Sequence, residues 1–178
     1  MEQKGLGSRF AKRFAGGLSK IVNDETKSTL EGLMFSHKGK VVNDPRNNYR
    51  ARNKLDQLMV AKNINNGVTV PSTLVSNDPH EISSFYNRHN GNICFKLQKG
   101  AVIDIEKEKY TVMTSLVEEK HLEDPKLLRQ CPHLFQEYID KNYETRVTVV
   151  GNRVMGTEIH SQDSETSKID YRRYDFNV

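Results

Sequence analysis

The stretch LFQEYIDKNYETRVTVVGNRVMGTEIHSQ, Leu134 to Gln162, decides how the rest of the chain is read. It holds two alternating apolar runs separated by Gly151–Asn152, a pair suited to a two-residue loop with positive φ, so it reads as a β-hairpin. Just ahead of the hairpin lies QEYIDKNYE, dense in charged and hydrogen-bonding side chains. Two readings of that lead-in are open. It is a surface connection at a sheet edge, or it is one wall of a nucleotide pocket. In the second case its extended main chain offers C=O and N–H groups to an adenine edge, and Glu144 behind it accepts from ribose hydroxyls.

Working outward, the chain has 178 residues, enough for one domain or two small ones. Apolar residues make up 35% and charged residues 28%, which implies a lean core and a highly charged surface. No apolar run approaches the length of a membrane span, and the N-terminus lacks the continuous apolar region of a secretory signal. The cysteines Cys94 and Cys131 form no CxxC and no disulfide framework, which points to a reducing, cytoplasmic setting. The net charge of +4 sits at one end, where Lys4, Arg9, Lys12, Arg13 and Lys20 stand against Glu2 alone. A nucleic-acid binder spreads its basic groups over a docking face, so the distribution argues against nucleic acid as a partner. RFAKRFAGGLSKIV reads as a solvated helix interrupted at Gly16–Gly17, or as a basic amphipathic helix that touches a membrane or a partner.

Periodicity predicts a helix over 21–36, a short strand over 40–43 and a second helix over 50–65. VTVPSTLVS is strand-like but split by Pro71. Asn77–Asp78–Pro79 opens a helix that Gly91 ends. NICFKL is a strand with Ile93, Phe95 and Leu97 facing one way and Cys94 and Lys96 the other. Residues 99–109 read as a loop or irregular hairpin, YTVMTSLV as a strand, EEKHLEDPKLLRQ as helical and the tail as irregular. The fold class is therefore α+β, a sheet with helices on one face.

Lys96 stands in an apolar strand, where an ammonium either faces a cavity that receives an anion such as phosphate or snorkels to water at a sheet edge. Lys54, one turn into a helix after a run of basic residues, is a phosphate ligand or an ordinary exposed lysine. Arg146, Arg172 and Arg173 are forked donors to phosphate or carboxylate, or surface ion pairs. No GxxxxGK[ST] or GxGxxG occurs, and the six scattered histidines do not compose a zinc site.

Four segments in order, NYRARNKLDQLMVAKNINNGVTVPSTLVSNDP, NICFKL, LFQEYIDKNYETRVTVVGNRVMGTEIHSQ and KIDYRRYD, resemble the ATP-grasp fold and within it the graspetide, or microviridin-type, peptide ligases. The resemblance covers roughly residues 28–175. It implies a basic N-terminal segment over 1–27, a remnant of the preceding domain over 28–53 and a partial ATP-grasp domain over 54–178. It implies ATP as cofactor, with Lys54 on the phosphates and Lys96 reaching the α-phosphate and adenine side. Gln136, Glu137, Tyr138, Ile139 and Asp140 become the adenine hinge, and Glu144 the ribose carboxylate. Arg146 and Arg172 face the reacting end. It further implies activation of a carboxylate as an acyl phosphate, and an ester or amide cross-link in a precursor peptide.

The family carries an aspartate, a glutamate and an asparagine that hold magnesium in a later segment. Glu158, Asp163, Glu165, Asp170 and Asp175 do not stand in that Glu-x-Asn arrangement, so no metal ligand is assigned. The expectation from sequence is a truncated or split ligase, inactive by itself and completed by a missing half or a homodimer partner. The alternative is a non-catalytic module that binds nucleotide or leader peptide.

Overall fold

The computed structural model describes residues 6–64, 67–100, 102–105 and 108–173, with side chains omitted for 6–17 and 102–109. Two compact units divide the chain, Met1–Arg52 and Asn53–Val178.

The first unit holds α1 (Leu6–Ser36) and α2 (Pro45–Ala51). α1 runs unbroken through Gly16–Gly17, where an interruption was expected; two glycines cost a helix only about 1 kcal/mol each. The side chains of the basic end lie outside those described. The strand expected over 40–43 is absent: that segment is irregular, with Val42 84% exposed and no strand paired to it among the described residues. Asp44 caps α2 by accepting from the N–H of Arg46 at 2.8 Å and of Asn47 at 3.2 Å. Arg46 in turn donates to the Phe35 carbonyl at 2.9 Å, fastening the start of α2 to the end of α1.

The single helix expected over 50–65 is two helices. Asn53 adopts an extended backbone and caps α3 (Lys54–Asn63), its Oδ1 accepting from the N–H of Leu55 and Asp56. Helical periodicity passed through a residue whose short amide side chain competes for backbone hydrogen bonds.

The second unit is built on a four-stranded antiparallel sheet of β1 (Thr73–Ser76), β2 (Ile93–Lys96), β5 (Ser115–Leu116) and β6 (His133–Glu137), in the order β1-β6-β2-β5. α4 (Pro79–Arg88) covers one face. Asp78 caps it with Pro79 in its first turn, and Gly91, at φ 81°, takes the left-handed conformation that turns the chain into β2. Because side chains alternate along a strand, Ile93 and Phe95 face α4 while Cys94 and Lys96 face away. Phe95 lies opposite Phe135, their ring centroids 6.0 Å apart, and Ile82, Phe85, Val117 and Leu128 complete the core.

Elsewhere the elements are shorter than the sequence suggested. The strand expected over YTVMTSLV is broken into the end of β4 (Glu108–Thr111), which pairs with β3 (Val102–Ile105), and β5. EEKHLEDPKLLRQ gives one 3-10 turn, Glu119–Leu122, and a single α-turn, α5 (Pro125–Leu128), because Asp124–Pro125 restarts the helix. β7 (Glu144–Val150) and β8 (Arg153–Ile159) form the hairpin, with Gly151 at φ 61°. It pairs with no third strand among the described residues, and Val147, Val149 and Val154 on one of its faces are all exposed. No described helix is long and apolar enough to cross a membrane.

The core is small, so single truncations in it have large effects. Ile82→Ala, at a site with no solvent exposure, is expected to lower unfolding free energy by about 2–5 kcal/mol in urea titration. Val149→Thr on the hairpin should change it by less than about 0.5 kcal/mol. Equal losses at the two sites would contradict this placement of the core.

Candidate functional site

The sheet face opposite α4 bears polar groups at the positions where strand alternation puts them. Cys94 on β2 and Thr73 on β1 both lie opposite Gln136 on the central strand β6. Gln136 is 6% exposed and fully engaged: its Oε1 accepts from Lys96 Nζ at 2.6 Å, and its Nε2 donates to Thr73 Oγ1 at 2.9 Å. Thr73 Oγ1 then donates to the Pro71 carbonyl at 2.8 Å. The relay fixes the Lys96 ammonium on the sheet with a neutral partner, and no carboxylate pairs with it among the described residues. Beside it, burial pushes the Cys94 thiol up from its ordinary value, only partly offset by the charges of Lys96 and Lys141.

Lys54 opens α3 and donates to the carbonyls of Leu97, at 2.5 Å, and Gln98, at 3.1 Å, just past β2. Burial, and then the positive charges of Arg172 and Lys96, hold it below the ordinary lysine value. Arg172 is aimed by Asp170, a 5% exposed carboxylate. One Asp170 oxygen accepts from Arg172 Nε at 2.8 Å, and the other from Arg172 Nη2 at 2.5 Å and from the Thr114 N–H at 3.0 Å. Burial alone would raise the Asp170 carboxyl, but the Arg172 side chain and the two backbone donors outweigh it and hold it well below the carboxylate range. The same pairing raises Arg172. These three cations, together with Lys141, border one open cleft of about 640 Å³.

The far side of the cleft is the segment leaving β6. The Glu137 N–H donates to Ser72 and the Tyr138 N–H to Asn92, so both amides are used by the fold. Glu137 Oε2 also accepts from the Ser72 N–H at 3.1 Å. Glu144, at the root of β7, takes Lys141 Nζ on Oε1 at 2.5 Å, while its Oε2 is buried without a partner among the described residues.

Comparisons with solved structures give that cleft a context. A Chryseobacterium gregarium RiPP-associated ATP-grasp ligase, in complex with ADP and a leader and core peptide, matches 95% of this chain at 34% identity with a TM-score of 0.76. Macrocyclase MdnC from Microcystis aeruginosa MRC, bound with precursor peptide MdnA, matches 89% at 28% identity and a TM-score of 0.75. Macrocyclase MdnB from the same source matches 90% at 27% identity and 0.63. The fold is a partial ATP-grasp fold. The likeness is to ATP-grasp peptide ligases, and the chain spans about half the length of each of these three neighbours, 49%. No protein-family model and no curated protein matches the sequence.

Set on this partial ATP-grasp fold, eight of the ten residues given a role by the resemblance line one cleft: Lys54, Lys96, Gln136, Glu137, Tyr138, Ile139, Glu144 and Arg172, while Arg173 instead donates to the Thr114 carbonyl. Asp140 and Arg146 do not line it. Asp140 is exposed beyond the hinge, and Arg146 is exposed on β7, on the same hairpin face as Glu144 but one step further from the sheet. Sequence reasoning weighed Asp170 only as a metal ligand and gave Lys141 no role. The Asp170–Tyr171–Arg172 spacing explains what the first does instead, since an Asp two residues before an Arg can accept both its side chain and its backbone N–H. The second was visible only as a Lys–Glu pair three residues apart.

Asp170 ties the cleft to stability. Its folded-state value is depressed, so its contribution is full above the ordinary 3.8 and is lost as pH falls below that toward the folded value. Asp170→Asn should cost about 1–3 kcal/mol at neutral pH, tempered because the Arg172 side chain is 55% exposed. It should also flatten the loss of stability as pH falls from about 4 toward about 2, measured by urea unfolding. A variant as acid-sensitive as the wild type would contradict this role.

Proposed function

We propose that this chain supplies the nucleotide-recognition wall of an ATP-dependent peptide ligase, one that activates a carboxylate of a precursor peptide as an acyl phosphate. The observation carrying the reading is the convergence of Lys54, Lys96 and Arg172 on one cleft that Glu144 also lines, its Oε2 buried without a partner among the described residues. Burial, and then the neighbouring charges of Arg172 and Lys96, lower the Lys54 value, and a polyanion relieves the cost of holding these cations together. A buried acceptor without a donor is matched by a hydroxyl. Phosphates at one end and a ribose hydroxyl at the other describe a nucleotide. Its base then lies against Tyr138 and Ile139, where the backbone beyond the two amides spent on Ser72 and Asn92 meets the cleft.

In the reaction proposed, a carboxylate oxygen of the peptide attacks the γ-phosphorus and ADP leaves. A hydroxyl or amine then attacks the acyl phosphate, losing a proton and expelling phosphate to give the ester or amide. The lysines and Arg172 stabilise the phosphoryl charge as it shifts, from positions fixed before the substrate arrives. Magnesium chemistry is expected of such ligases, but no group of three potential metal ligands occurs among the described residues, and both Asp170 oxygens are occupied. No step is therefore assigned to the metal here. The peptide partner is proposed from the leader and core peptides bound by the neighbours and from the edges of the β7–β8 hairpin, which meet no further strand among the described residues and can pair with an extended chain.

Calorimetric titration with ADP and a non-hydrolysable ATP analogue tests the reading. Binding is expected, and Lys96→Met should weaken it by at least about tenfold, equal to about 1.4 kcal/mol. Affinity should also fall as pH rises through the lowered Lys54 value, earlier than an ordinary lysine at 10.5 would allow. Absence of heat with either nucleotide at millimolar concentration overturns the proposal.

A further inference from the structure

Lys141 also lines the cleft, but its ammonium is spent inside the protein. Its ammonium donates to Glu144 Oε1 at 2.5 Å and to the Ile169 carbonyl at 3.4 Å, and its side chain is 18% exposed. An ammonium has three donors, so most of its capacity is committed within the protein. Its partner is left in an unusual state. One Glu144 oxygen is held and charge-compensated, while the other is buried and has no donor among the described residues, in a side chain that belongs to the cleft wall.

From this asymmetry we infer that Lys141 is a specificity-determining positioning residue: it turns Glu144 into a single-acceptor gauge for one sugar hydroxyl. Two consequences of the pairing support this. Lys141 neutralises the carboxylate, so the ligand has no need to bring a cation and a neutral O–H donor is the matching chemistry. It also fixes which oxygen is free, so a sugar lacking the hydroxyl at that place leaves a buried acceptor unmade, and an unmade buried bond costs more than a made one gains. The second tie, to Ile169, joins this gauge to the residue preceding Asp170, which aims Arg172. One lysine thereby sets the spacing between the sugar end and the phosphate end of the cleft. The inference rests on the nucleotide reading above and adds to it the residue that enforces the ribose.

The test compares affinities of the full chain for ADP, 2′-deoxy-ADP and 3′-deoxy-ADP by calorimetry, in wild type, Lys141→Met and Lys141→Arg. Wild type is expected to favour ADP over at least one deoxy analogue by about tenfold. In Lys141→Met that ratio should collapse to about twofold or less, mostly through weaker ADP binding, and Lys141→Arg should restore most of it. A Lys141→Met protein that loses affinity for all three ligands equally, with the ratio intact, would show a merely structural lysine and overturn the inference. If that variant fails to fold, Lys141→Gln carries the same comparison. Wild type that binds ADP without hydroxyl preference defeats the inference alone, whereas wild type that binds no nucleotide defeats the parent reading and the inference with it.

Discussion

Gln136 accepts from a lysine on one neighbouring strand and donates to a threonine on the other, and much of the second unit is organised around that relay. A half-buried ammonium is costly unless its hydrogens are taken up. A carboxylate partner would do so but would also cancel the charge. An amide oxygen satisfies the geometry and leaves the charge standing. The relay depends on antiparallel register, because Thr73, Gln136 and Cys94 share one face only if β1, β6 and β2 pair as they do. A slip of one residue would send Gln136 into the core and Phe135 into the cleft. Packing of Ile82, Phe85, Ile93 and Phe135 on the other face therefore protects the polar face as well.

The cleft contrasts two ways of holding charge. Arg172 is paired with a buried aspartate that fixes its plane and direction, so its guanidinium is oriented at the expense of part of its field. Lys54 and Lys96 hang on neutral carbonyl and amide oxygens and keep theirs. Orientation and unspent charge are supplied by different residues, which suits a ligand whose charge is spread over several oxygens.

Much of this was legible in the sequence, for identifiable reasons. Two-residue alternation put Lys96 opposite Phe95 in direction, and the Asp78–Pro79 and Gly151–Asn152 signals placed a helix start and a turn where they occur. The four ordered segments that resemble ATP-grasp peptide ligases led to a fold that the solved neighbours share. The failures have physical causes too. Helical periodicity carried the reading across Asn53, whose cap is a local hydrogen-bond effect that apolar spacing does not register. Val41–Val42 had the composition of a strand but no partner to pair with among the described residues. Lys141 and Asp170 act through contacts 28 and 56 residues away in sequence, to Ile169 and Thr114, and no local pattern announces such pairs.

The β7–β8 hairpin also bears on solubility. Val147, Thr148, Val149 and Val150 form a short, uncharged, strongly β-prone run in a hairpin whose outer edges pair with no further strand among the described residues, the composition that templates chain-to-chain stacking. Arg146 and Arg153 bracket the run, at its start and just past the turn, and both are exposed. Like charges at those positions would be brought close together whenever two hairpins stacked in register. Exposed arginines at the two ends of such a run are the placement that disfavours in-register stacking, a consequence of Arg146 that does not require it to reach the cleft.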